Sequence, residues 1–165
     1  MSAAAAAGRQ GEVESVRKQV VVEAPQERAF RVFTERFDAW WSRSHHIGKA
    51  EMKRAVIETR AGGRWYEVGI DGTECEWGKV LVFEPPRRLV LAWQINAKWQ
   101  YDPDLVTEVE VTFTPEGVKR TRVELEHRDL ERFGANAEEM RRSLLSDGGW
   151  SGQLVAFKTS AEGAS

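Results

Sequence analysis

The chain has one cysteine, Cys75, in 165 residues. A lone thiol closes no internal disulfide, and its solitude fits a reducing cytoplasm, the expected location. Histidine is nearly as scarce, with three copies. His45 and His46 are adjacent in sequence and do not chelate one metal from a regular element. No HxxxH, HxH, CxxC or HExxH spacing occurs, and a structural zinc site needs three or four ligands, so neither a metal nor a cofactor is expected. Charge of one sign is also lacking. The net value is -2, which disfavours a phosphate-neutralising surface and excludes nucleic acid from the expected partners. No apolar run approaches the roughly 20 residues that span a bilayer. The opening MSAAAAAGRQGEVES lacks the charged n-region and bulky h-region of a signal peptide. Residues 1–14 are expected to form a flexible tail, 15–160 a single domain and 161–165 a short C-terminal tail.

Tryptophan is what the chain has in excess, with seven copies. A domain this small does not need so many for packing alone, so some are expected to line a concavity. The stretch FDAWWSRSHHIG, residues 37–48, concentrates two of them beside the paired histidines. It reads as the end of a short helix running into a loop. Phe37 and one of Trp40 and Trp41 anchor it to the core, and the other tryptophan sits near a cavity mouth. The histidines either fringe that entrance or face water.

Periodicity organises the rest. Val16 to Val22 reads as a strand ending before Pro25, which stands near the start of a helix whose apolar stripe is Ala29, Phe30, Val32 and Phe33. Phe37, Trp40 and Trp41 continue the pattern into a second short helix. Ser44 to Met52 is polar and reads as a loop. Four strand-like segments then run from Ala55 to Ile95, divided by turn signals at Ala61-Gly62-Gly63, Asp71-Gly72 and Glu84-Pro85-Pro86. Ile95 to Asp104 is a connection carrying Trp99 and Tyr101. Thr107 to Thr114 and Thr121 to His127 alternate with period two around a turn at Pro115-Glu116-Gly117, which implies an antiparallel sheet with one buried face. Asn136 to Leu145 reads as a charged helix. Trp150, Leu154 and Phe157 fall at i, i+4 and i+7 of a closing helix. The fold class is therefore α+β: a curved antiparallel sheet of about six to seven strands wrapped around a long C-terminal helix, with two short helices after the first strand.

In this order the segments resemble the helix-grip fold of the START/SRPBCC superfamily. The branch they look most like is the small bacterial proteins of the heat-shock-protein-90 ATPase activator homologue type. The likeness is carried by APQERAFRVFTE, by GGRWYEVGIDGTECEWGKVLVFEPPRRLVLAW with its Glu-Pro-Pro-Arg-Arg-Leu turn, by TEVEVTFTPEGVKRTRVELEH, and by GGWSGQLVAF. Their joint order, over roughly Ser15 to Thr159, points to fold. The superfamily, by resemblance, spans lipid and hormone carriers, aromatase/cyclase-like enzymes, self-sacrificing binders of reactive antibiotics and chaperone activators. Fold does not select among these.

The residues themselves favour binding over catalysis. The expected ligand-binding set is Trp41, Trp65, Tyr66, Trp77, Trp93, Trp99 and His127, around a small hydrophobic or aromatic ligand between sheet and closing helix. His127 shares the inner face with Val123 and Leu125; it is either a hydrogen-bonded core histidine or a group that orients a ligand. Trp65 and Trp77 are set to pair across the Asp71-Gly72 hairpin. Glu108, Glu110, Glu124 and Glu126 lie opposite the apolar face, which removes them as an acid/base pair. Glu74 and Glu76 stay open, because a bulge in their strand could turn them either way. No histidine is tied to Cys75 by motif to make it a nucleophile, and it reads as a buried, inert thiol. No catalytic constellation is assembled, and no catalytic residue is assigned. A chaperone is the second partner expected, from the resemblance alone, and an enzyme acting on a polyketide-type substrate is the third reading. A monomer or a homodimer is expected.

Overall fold

The computed structural model describes residues 13–163. The expected tails fall largely outside this range, in residues 1–12 and 164–165. Strand β1 spans Val16–Val22, followed by helix α1, Gln26–Thr34, and helix α2, Phe37–Trp40. Pro25 stands at the N-cap of α1 in extended conformation, where its missing N–H costs nothing. A meander of six strands follows: β2 Met52–Ile57, β3 Arg64–Gly69, β4 Glu74–Glu84, β5 Arg88–Trp93, β6 Thr107–Gly117 and β7 Arg120–Arg128. A 3-10 turn over Leu130–Asn136 leads into helix α3, Ala137–Leu145, and the closing helix α4, Trp150–Glu162.

The seven strands form one antiparallel sheet in the order β1-β7-β6-β5-β4-β3-β2. The last strand returns beside the first, so the sheet curls around α4 in the helix-grip arrangement. Four register shifts, at Met52/Arg54, Trp65/Tyr66, Val80/Val82 and Pro115/Gly117, bend the strands. At the second of these the backbone of Gly78 passes so close to β5 that a Cβ there would sit 1.7 Å from the Ala92 carbonyl oxygen. Only glycine fits that approach.

The sheet's inner face and α4 share the core. Trp150, Leu154 and Phe157 are buried on one stripe of the helix, as their spacing requires; burial stabilises by about 1.5–3 kcal/mol for a side chain such as Leu154 or Phe157. The outer face is ionic. Arg128 pairs with Glu108 and Glu110, Arg88 with Glu110, and Arg17 with Glu126. Two details differ from the periodicity reading. β6 runs on through Pro115-Glu116-Gly117, and the chain reverses at Val118–Lys119, because the shift at Pro115/Gly117 absorbs the proline. The 3-10 turn before α3 carries no 3.6-residue stripe and is broken at Gly134, whose φ is 67°, so no periodic signal marks it.

Candidate functional site

One end of the inner face is occupied by indole rings in mutual contact. Trp41 meets Trp77 at 5.4 Å between centroids, Trp77 meets Trp65 at 5.5 Å, Trp65 meets Trp93 at 5.7 Å, Trp93 meets Trp150 at 5.9 Å and Trp150 meets Trp41 at 5.8 Å. The five rings form a closed circuit of tilted and edge-to-face contacts, the arrangements that aromatic quadrupoles favour. Trp40 stands outside it, against Phe33 and Phe157, while Trp41 stacks on Phe37.

Beside this circuit lies a cavity of about 320 Å³, a size within the range of ligand pockets. Trp41, Trp77, Trp93 and Trp150 form its inner wall with Ile95, Leu144 and Gln153. Ser44, His45, His46, Ser143, Gly148 and Trp99 surround its mouth. Of the expected set, Trp41, Trp77, Trp93 and Trp99 come together here. Trp65 stands behind the wall, fully buried, with an indole N–H that has no acceptor among the described residues. Tyr66 lies on the opposite face of β3, with the Arg64 guanidinium 3.8 Å over its ring. His127 is fully buried and does not line the cavity.

His127 acts on the wall through its hydrogen bonds. The Trp150 indole N–H donates to His127 Nδ1 at 3.1 Å. That fixes the tautomer, so Nε2–H donates to Thr107 Oγ1 at 2.8 Å, and the hydroxyl donates to the Trp93 carbonyl at 3.3 Å. Burial without any charged partner holds the His127 pKa down to about 3. The ring is therefore neutral at neutral pH and locks Trp150.

The other wall residues are held just as firmly. Trp93 Nε1 donates to the Ile95 carbonyl at 3.0 Å, and Trp41 Nε1 to the His45 carbonyl at 2.9 Å. Trp77 Nε1 donates at 2.8 Å to Glu67, a carboxylate only 1% exposed. Glu67 also accepts from the backbone N–H groups of Ile47, at 2.7 Å, and Gly48, at 3.1 Å. One buried acid thus ties the mouth loop to the sheet. Sequence reasoning missed it; the signal available was a carboxylate on the same parity as Trp65, on the inner face of β3.

The mouth has its own order. His45 Nε2–H donates to the Gly148 carbonyl, leaving Nδ1 to accept from Ser44 Oγ at 3.2 Å. This links the loop after α2 to the loop before α4. Both histidines border the cavity. Trp99 is 44% exposed and has a φ of 59°, a left-handed backbone that is rare for a bulky residue and costs of order 1–3 kcal/mol. Asn96 holds it there, its Oδ1 accepting from the Lys98 and Gln100 N–H groups. Away from the cavity, Arg64 pairs with both Glu74 and Glu76, so these acids face outward. Burial pushes the Cys75 thiol pKa up, away from the reactive thiolate. Among the described residues no group of three or more His, Cys, Asp and Glu side chains is placed to hold a metal ion, and no helix is long and apolar enough to cross a membrane.

Among solved structures the chain is similar to two relatives at more than 30% identity. An anthrahydroquino-Gama-pyrone synthase, Txn09, complexed with SUM, is 42% identical over 90% of this chain and 97% of its own, with a TM-score of 0.63. The self-sacrificing resistance protein CalC from Micromonospora echinospora is 34% identical over 89% and 93%, with a TM-score of 0.68. The Aha1 dimer from Colwellia psychrerythraea shares the fold at 13% identity, over 91% and 97%, with a TM-score of 0.60. Among curated proteins none matches this chain. The family model for Activator of Hsp90 ATPase homolog 1-like protein matches residues 23–162. The chain therefore belongs to the family of Activator of Hsp90 ATPase homolog 1-like proteins.

Proposed function

We propose that this protein binds a planar, polycyclic aromatic small molecule in the tryptophan-walled cavity. The observation that carries this is the cavity itself: four buried indoles, each fixed by its own hydrogen bond, stand around about 320 Å³ of space. A wall set in advance loses little side-chain entropy when a flat ring enters it. The synthase relative supports the same class of ligand, being described as an anthrahydroquino-Gama-pyrone synthase. Trp65 and His127 contribute by holding the wall from behind, and Tyr66 has no part in it. Titration with 9-fluorenone, followed by tryptophan fluorescence, tests the proposal. Saturable quenching that weakens at least tenfold in Trp93→Ala is expected; absence of saturable quenching in the unaltered protein overturns it.

A second reading is catalysis of ring closure on such a ligand. It is favoured by His45, whose ring stands at the mouth with both nitrogens engaged and with His46 beside it, and by the synthase relative. The step needs no cofactor: a phenol gives its proton to Ser44 Oγ as the hydroxyl passes its own to His45 Nδ1, the phenol oxygen bonds to the β-carbon of an unsaturated ketone, and the α-carbon takes the proton back by the same route. Conversion of 2'-hydroxychalcone to flavanone, faster than background and lost in His45→Ala, is the expected result. Background rates in both proteins remove this reading. The chaperone partner rests on the family description alone, and the cavity provides the stronger argument.

A further inference from the structure

The cavity wall has very few polar atoms, and nearly all of them are already used. The N–H groups of Trp41, Trp77, Trp93 and Trp150 each have a protein acceptor. They present carbon to the cavity and offer no hydrogen bond. Gln153 is different. It lies in the first turn of α4, it lines the cavity, and it is 4% exposed. Its Oε1 accepts from the Ser42 backbone N–H at 3.3 Å. That bond decides which end of the amide is which, since only the oxygen can accept from an N–H. The Nε2 group then points its two donors elsewhere, and it has no hydrogen-bond partner among the described residues.

This donor is open to the water of the cavity, and covering it without an acceptor would cost on the order of 1–3 kcal/mol. Water can serve it in the open cavity, but an apolar ring filling the cavity would strand it. We infer that Gln153 Nε2 is the ligand-orienting donor of this site, and that the ligand carries a carbonyl-class oxygen on the edge that meets it. This inference rests on the cavity being a ligand site, and it narrows the ligand from any flat aromatic to a flat aromatic ketone, quinone or pyrone. One fixed donor in a carbon wall discriminates well, because a ligand lacking the acceptor leaves the amide unpaired.

The test compares 9-fluorenone with fluorene, which differ by the carbonyl oxygen, in the unaltered protein and in Gln153→Met. Methionine keeps the length and volume of the side chain and removes the amide. Affinities are read by tryptophan fluorescence, with near-ultraviolet circular dichroism confirming the native fold of the variant. The fluorenone-to-fluorene affinity ratio is expected to fall about tenfold on substitution, the size of one hydrogen bond lost in a buried site. A purely structural role for Gln153 would weaken both ligands alike and leave the ratio unchanged; that result overturns the inference and leaves the cavity reading standing. Failure of both ligands to bind the unaltered protein overturns the cavity reading and the inference together.

Discussion

The two ends of the inner face are both aromatic, yet one is filled and the other hollow. At the first, Phe33 and Phe113 meet at 5.8 Å and Phe33 and Phe157 at 5.1 Å, all three almost completely buried. At the second, Trp41, Trp77, Trp93 and Trp150 stand around open space. The difference lies in the polar atom. Phenylalanine has none, so its ring is free to settle wherever packing is densest. Each of these four indoles carries an N–H that is costly to bury without an acceptor, and each has one among the described residues, unlike Trp65 behind them. At this end the acceptors are Glu67, His127 and the carbonyls of Ile95 and His45. They fix the rings by their edges and prevent collapse into the void. The filled end supplies stability and the hollow end supplies a site.

Substitutions that separate these two roles have effects of very different size. Phe157→Ala opens a hole where nothing is held apart, and is expected to cost about 3–5 kcal/mol in urea denaturation. Acid comes next. In the unfolded chain His127 titrates near the ordinary value of about 6.5, whereas in the folded protein it titrates at about 3. The unfolded state takes up the proton first. The stability due to the neutral ring is fully present above pH 6.5 and falls as the pH drops towards 3. At pH 4 the loss is about 3 kcal/mol by this linkage. Carboxylates titrate in the same range, so the readout is a difference: the stability gap between the unaltered protein and His127→Gln should narrow between pH 7 and pH 4. A gap independent of pH would show that His127 takes up its proton as readily in the fold as in the unfolded chain.

Smaller effects fall at the mouth and on the outer face. Trp99→Gly removes an exposed ring and relieves its left-handed backbone, so stability should change by less than about 1 kcal/mol or rise slightly. Affinity for 9-fluorenone should drop severalfold in the same variant. Equal loss of stability and affinity would mean that Trp99 belongs to the core and not to the mouth. Arg128→Met, on the ionic outer face, should cost about 1 kcal/mol, with the cost shrinking as salt is raised. Ligand affinity should be unaffected, because that side chain stands on the face opposite the cavity.

Much of this was legible in the residues, because period-two alternation and helical stripes are local. The strands at Thr107 to Thr114 and Thr121 to His127, the stripe of Trp150, Leu154 and Phe157, and the inward parity of Trp93 all follow from one-dimensional spacing. The site was legible in part. A surplus of tryptophan pointed to an aromatic concavity, and Trp41, Trp77, Trp93 and Trp99 meet there. Tyr66 and Trp65 are neighbours on β3 and hence on opposite faces, which parity states but composition does not. Trp150 falls on the stripe of the closing helix, and it is both core and wall. Glu67 and Gln153 carried no motif. Their roles depend on the mouth loop and on Ser42, residues 20 and 111 positions away.

The amino-acid sequence by itself determined the order of elements, the antiparallel sheet, the buried faces and the presence of more indole rings than packing requires. These rest on neighbours a few residues apart, where propensity and periodicity act. Only the tertiary structure decided which indoles enclose a cavity, that His127 locks Trp150 from behind, that His45 bridges two loops, and that one amide donor is left over. Those outcomes depend on where buried N–H groups find acceptors across the sheet's curvature. Bulges at single residues set that curvature, and hydrogen-bond satisfaction at a distance leaves no periodic trace in the chain.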